Sequence, residues 1–119
     1  MSKPEWETIG ENFLQQYFSA NQYEHLLKFY GNDSILSVEK DKFNGGNEIA
    51  AKLASVPGEM KVSTYEIQPS TNGILIFISG GLTLQGEQNA FPFVRVFFLA
   101  PTQQGSLYIK NDMYKLTLG

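Results

Sequence analysis

Residues 73–85, GILIFISGGLTLQ, and 91–100, FPFVRVFFLA, decide how this chain folds. Each is too short for a membrane span, which needs roughly 20 apolar residues, and each is rich in the β-branched and aromatic types that suit strands. An antiparallel sheet packed on helices normally leaves one face wet, so its strands alternate apolar and polar. Here Ile74-Leu75-Ile76-Phe77-Ile78 is apolar on both faces, and Phe93, Phe97 and Leu99 oppose Val94, Val96 and Phe98, with only Arg95 breaking the run. Both faces of these strands therefore want burial. Helices elsewhere in the chain can cover one; the other calls for a second subunit, and a sheet-to-sheet homodimer is expected.

Working outward, strands are expected at about 60–68, 73–85, 91–100 and 106–118. They are separated by Pro69 to Gly73, Gly86-Glu87-Gln88-Asn89 and Pro101 to Gly105, which is the spacing of an antiparallel meander. Gly80-Gly81 inside a long strand suits a bulge that curls the sheet. The first part of the chain reads as helical. Trp6, Ile9, Phe13 and Tyr17, with Gly10, Leu14 and Phe18, recur at spacings of three and four and form one apolar stripe. Pro4 suits a first turn and Ser2 is placed to cap it. Tyr23, Leu26, Leu27 and Tyr30 predict a second helix stopped at Gly31-Asn32, and Asn47 is expected to cap a third carrying Ile49, Ala50, Leu53 and Val56. Between them, Ile35 to Val38 and Lys42-Phe43 form a hairpin around Glu39-Lys40-Asp41. Helices first and strands later define an α+β domain, and 119 residues without repeat or linker make residues 1–119 a single one.

Composition excludes several functions. There is no cysteine, so no disulfide, thiolate chemistry or cysteine-bound zinc, and His25 is the one histidine, so no multi-histidine metal site or HExxH spacing exists. No metal or other cofactor is expected. A net charge of −3 without a basic run argues against nucleic acid as a partner. The opening MSKPEWETIG has no apolar core and carries Glu5 and Glu7, unlike a secretory leader, so neither export nor membrane insertion is expected.

Three stretches, KPEWETIGENFLQQYF (3–18), KFNGGNEIAAKLASVP (42–57) and NDMYKLTL (111–118), resemble the nuclear transport factor 2 family in order and separation. The resemblance implies a cone-shaped fold, three N-terminal helices packed on a strongly curved antiparallel sheet, and a homodimer with two binding surfaces. One is a cavity that takes an aromatic side chain of the GTPase Ran in its GDP form, with an acidic rim. By position, the cavity lining is Val38, Val56, Phe91, Met113 and Tyr114 and the rim glutamate is Glu39. The other surface is an apolar slot beside Trp6 for phenylalanines of FG-repeat nucleoporins. The implied job is import of Ran through nuclear pores, in cytoplasm, nucleus and pore. Where the family places two aspartates, this chain has Gly86 and Gln88, with Glu87 the intervening acid. Read without the resemblance, Trp6 is core packing, Glu39 is a solvated turn, and Asp112, disfavoured inside a strand, holds a backbone N–H or else sits at the cavity mouth. The stretch KFYGNDS (28–34) also resembles stress-granule relatives, so a protein-binding scaffold or mRNA-export partner is the second reading. Enzymes share this fold, but the expected cavity lining is apolar, and Asp112 with Tyr17 or Tyr114 is the sole acid–base pair on offer; the expectation is no enzyme.

Overall fold

The computed structural model describes residues 3–117, and the capping role expected of Ser2 lies outside them. Helix α1 spans Glu5–Tyr17, α2 Tyr23–Leu27 and α3 Gly45–Ala54, and the strands are β1 Tyr30–Val38, β2 Asp41–Asn44, β3 Gly58–Ser70, β4 Gly73–Leu84, β5 Ala90–Pro101 and β6 Leu107–Leu116. They form one curved six-stranded sheet in the order β2-β1-β6-β5-β4-β3. The four C-terminal strands are the expected antiparallel meander. The addition is β1, which lies parallel to β6. Helix α1 lies against β3 and β4, α3 against β1 and β2, and α2 against α3.

Two N-terminal boundaries differ from expectation. Helix α2 stops at Leu27 because the backbone beyond it is claimed by the sheet: the Ile109 amide donates to the Phe29 carbonyl, and Tyr30 already pairs with Ile109. Helix α3 starts before Asn47. Its N-cap is Asn44, whose amide donates to Glu48 Oε1, while Asn47 sits inside the helix and accepts from the Tyr23 hydroxyl.

The two-sided character of the central strands resolves cleanly. Ile74, Ile76, Ile78, Phe93, Phe97 and Leu99 are buried under the helices, while Leu75 and Phe77 on the opposite face are 39% and 43% exposed. Cross-strand pairing aligns Leu75 with Phe98, Phe77 with Val96, and Val96 with Met113. The outer face is thus a continuous apolar band over three strands. Polar Glu66 and Gln68 of β3 border it beside Phe77 and Leu75.

The bulge expected at Gly80-Gly81 lies on the partner strand. Val62 pairs with Gly80 and Thr64 with Ser79, leaving Ser63 as the extra residue. Gly80 makes this possible, since a Cβ there would sit 1.9 Å from the Lys61 carbonyl oxygen. Backbone cannot yield as a side-chain tip does, so Gly80→Ala should destabilise the fold by about 2 kcal/mol or more, the upper part of the range for overpacking. Gly81→Ala meets only the methyl group of Ala90, at 2.9 Å, and should cost visibly less. Denaturant unfolding of the two variants measures both.

Candidate functional site

Inside the sheet, one charged pair interrupts the apolar core. Arg95 on β5 and Asp112 on β6 are 2% and 0% exposed. Both occupy inward positions, Arg95 opposite Ile78 and Tyr114, Asp112 opposite Phe97. Arg95 Nε donates to Asp112 Oδ1 at 2.9 Å and Nη2 to Oδ2 at 2.7 Å, a two-pronged bond. The guanidinium lies among the rings of Phe97, Tyr17, Tyr114 and Phe18, with 4.7 Å to the nearest centroid. Burial alone would pull the Arg95 pKa down, but Asp112 and the neighbouring tyrosines outweigh it and hold it above its ordinary value. The Arg95 guanidinium stays charged.

Two tyrosines complete the cluster, and their protons all run one way. The Tyr30 hydroxyl donates to Asp112 Oδ2 at 2.7 Å. Its contact with the Tyr17 hydroxyl, 2.6 Å, must therefore be donation from Tyr17, which in turn accepts from Arg95 Nη2 at 2.7 Å. Neither tyrosine has a proton left for a substrate, and Asp112 is sealed from solvent. One edge of the cluster stays open. Among the described residues Arg95 Nη1 has a single partner, the Met60 thioether sulfur at 3.3 Å, a weak acceptor.

That edge belongs to a cavity of about 110 Å³. Phe18, Leu26, Leu53, Val56 and Leu82 give its apolar walls, and Tyr17, Arg95 and Met60 also line it. Toward solvent it shares Asn21, Val56, Gly58 and Glu59 with a surface groove that continues to Gln85, Gly86 and Glu87. Glu59 and Glu87 therefore edge the approach, both exposed.

The expected site residues are only partly brought together. Val56 lines the cavity. Tyr114 is buried beside Arg95, and Val38, its cross-strand partner, is half-buried against the core. Phe91 is half-buried opposite Leu82. None of these three is among the residues lining the cavity. Two expectations are corrected. Met113 is 50% exposed on the outer face, because neighbouring strand residues point to opposite sides and Asp112 takes the inner one. Asp112 neither holds a backbone N–H nor reaches the mouth; it is the counter-ion of Arg95. Glu39 sits with Lys40 in a two-residue turn, both at positive φ, and its carboxylate accepts from the Leu116 amide at 2.8 Å. It flanks a separate shallow groove with Lys115, Val94 and Met113. Trp6, in the first turn of α1, is half-buried against the core. Arg95, Tyr30, Met60 and Glu59 were not expected at a site. For Arg95 the signal was available: it and Asp112 are the only charges at inward positions of β5 and β6.

A polar-floored, apolar-walled cavity under a curved sheet marks a cone-shaped α+β domain. Residues 9–116 match the nuclear transport factor 2 (NTF2) domain, and the chain belongs to that family. It is similar to nuclear transport factor 2B of Arabidopsis thaliana, 37% identical over 123 residues and 98% of each chain. Nuclear transport factor 2 of Saccharomyces cerevisiae is 35% identical over 121 residues, 94% of each. Among solved structures, nuclear transport factor 2 from Cryptosporidium parvum superposes with a TM-score of 0.84 at 29% identity, covering 97% of both chains. The fold alone is shared with a ketosteroid isomerase-like protein from Erwinia carotovora atroseptica, at TM-score 0.72 and 18% identity over 96% of this chain and 95% of that one.

The buried tyrosines make a pH signature. Burial pushes the Tyr17 pKa up from 10.0 to about 12, against the opposing pull of Arg95, and burial raises Tyr30 well above its usual value. The folded protein then binds more protons than the unfolded chain between these limits. Stability is fully present below pH 10 and is lost as pH rises toward 12, by about 3 kcal/mol for Tyr17 alone at 1.36 kcal/mol per unit. Thermal melts across pH 9 to 12 should fall in this window, and Tyr17→Phe should flatten the fall.

Proposed function

We propose that the protein is a homodimeric nuclear transport carrier that binds Ran-GDP at the cavity end of each domain and FG-repeat nucleoporins beside Trp6, moving Ran from cytoplasm to nucleus through the pore. Relatives named nuclear transport factor 2, matched over almost their whole length, support a role in nuclear transport. The observation that carries the finer reading is the cavity itself: apolar walls around about 110 Å³ of space, approached past exposed carboxylates. A partner's aromatic side chain would gain affinity from the walls. Cationic groups around it would gain orientation and on-rate from the rim, in a salt-sensitive way. The rim at the mouth is Glu59 and Glu87; Glu39, at the β1–β2 turn beside its separate groove, would be a further acidic contact.

Carriage, rather than catalysis, suits a cluster whose hydroxyl protons are committed, that of Tyr17 to Tyr30 and that of Tyr30 to Asp112. Homodimerisation through the outer face suits an apolar band bearing Leu75, Phe77, Val96, Phe98 and Met113. A surface of this kind on a solitary domain is an association site. FG binding at a half-buried tryptophan would be weak and fast, since burying one Phe ring is worth only about 1.5–3 kcal/mol.

Calorimetry with Ran-GDP tests the reading. Glu39→Lys should abolish measurable binding, because like charges meeting across an interface typically cost several kcal/mol. Glu39→Gln retains an acceptor for the Leu116 amide, so it isolates charge from turn structure and should bind weakly rather than not at all. Restoring the family's acid is best done with Gln88→Asp, which should tighten binding at low salt; Gly86 has φ +87, which strains any side chain placed there. In sedimentation the parent should be a dimer at micromolar concentration and Phe98→Glu a folded monomer. Failure of parent and Gln88→Asp alike to bind Ran-GDP would hand the case to the scaffold reading.

A further inference from the structure

We infer that the β1–β2 turn reads two opposite charges on its partner, and that Lys40 is a further specificity-determining residue, taking a carboxylate that lies beside the cation met by Glu39. This rests on the reading of Glu39 as an acidic contact for Ran-GDP and goes beyond it.

The observation is a backbone conformation. Val38 pairs with Asp41, so Glu39 and Lys40 form a two-residue hairpin turn, with φ 48° and 83°. A turn with both central residues in the left-handed region favours Asn-Gly or Asp-Gly, because a larger side chain is crowded there. The rest of the chain keeps to that rule. Among the described residues the other left-handed positions are held by Asn72, Gly45, Gly86 and Gly105. Glu39 has a compensation, since its carboxylate accepts from the Leu116 amide. Lys40 has none. It is exposed, and among the described residues no carboxylate pairs with it, those of its neighbours Glu39 and Asp41 included. A residue kept at a backbone cost without an internal contact is a pointer to function.

Charge says what Lys40 meets. An ammonium group beside Glu39 weakens the attraction that Glu39 offers a cation. A partner presenting cations alone would bind better to a neutral turn. Lys115, also exposed, lines the same groove as Glu39 and Lys40. One carboxylate and two ammonium groups thus edge one groove. They fit a protein surface on which a carboxylate adjoins the basic group, and they reject a purely basic surface by like-charge contact.

The variants are Lys40→Gly and Lys40→Gln, measured by thermal melting, by sedimentation and by calorimetry with Ran-GDP at low and at physiological salt. Lys40→Gly should melt above the parent, because glycine takes the left-handed conformation freely. Lys40→Gln keeps the strain and should melt with the parent, which separates conformation from charge. Both should bind Ran-GDP about threefold or more weakly at low salt, the favourable end of the range for an exposed ion pair, and the difference should shrink as salt rises. A turn that offers only acidity predicts the reverse, tighter binding once the lysine is gone. Equal or tighter binding by both variants would overturn the inference and leave the Glu39 contact standing. A Lys40→Gly variant that melts no higher than the parent would remove its basis. A change of oligomeric state in either variant would assign Lys40 to a second copy of this chain and overturn it too. If the parent itself does not bind Ran-GDP, the carrier reading falls and this inference falls with it.

Discussion

The Arg95–Asp112 bond holds the rest of the architecture in register. Strand side chains alternate with a period of two, so a slip of one residue exchanges the two faces of a strand. In β5 such a slip would put Arg95 on the outer band and Val94 and Val96 against the helices, a swap that hydrophobicity alone would barely resist. The charge resists it. Only the inner position offers Arg95 a carboxylate, the Tyr17 hydroxyl and four ring faces. Losing one partner of a buried pair costs about 3–5 kcal/mol, a large share of the roughly 5–15 kcal/mol that keeps a domain folded. The cluster also reaches the N-terminal half, because Tyr17 closes α1 and Tyr30 opens β1.

With register fixed, one sheet performs two separate tasks. Phe97 is wholly buried and packs against Phe13 and Tyr17, while Phe98, one residue on, lies in the outer band. The inner face closes the cavity with a polar floor; the outer face presents an apolar surface of the kind that pairs with another. A single strand therefore joins the cavity to the surface that would unite two domains, and both depend on the same alternation.

How much of this was legible follows from range. The meander was readable because turn clusters such as Gln85 to Asn89 punctuate it locally. The pairing of β1 with β6 was not: it joins residues more than seventy apart in the chain, and nothing near Tyr30 announces it. The resemblance placed Met113 and Tyr114 together in the cavity lining, yet consecutive strand residues cannot share a face; alternation alone would have removed one of them. Arg95 was noticed as an interruption but not given a partner, since matching it to Asp112 needs the β5–β6 register, which bulges between Phe98 and Leu99. Glu59 passed unnoticed because a strand-edge glutamate carries no signal until α3 and β4 are folded around it.

The central claim is that partner binding belongs to the inner, open end of the sheet and self-association to the outer face. Methyl NMR of the protein titrated with Ran-GDP reads both at once. The account predicts that Leu53, Val56, Met60 and Leu82 shift or broaden as Ran-GDP is added, while Leu75, in the outer band away from the Glu39 groove, stays where it is. Perturbation of Leu75 with the cavity set unmoved would contradict it.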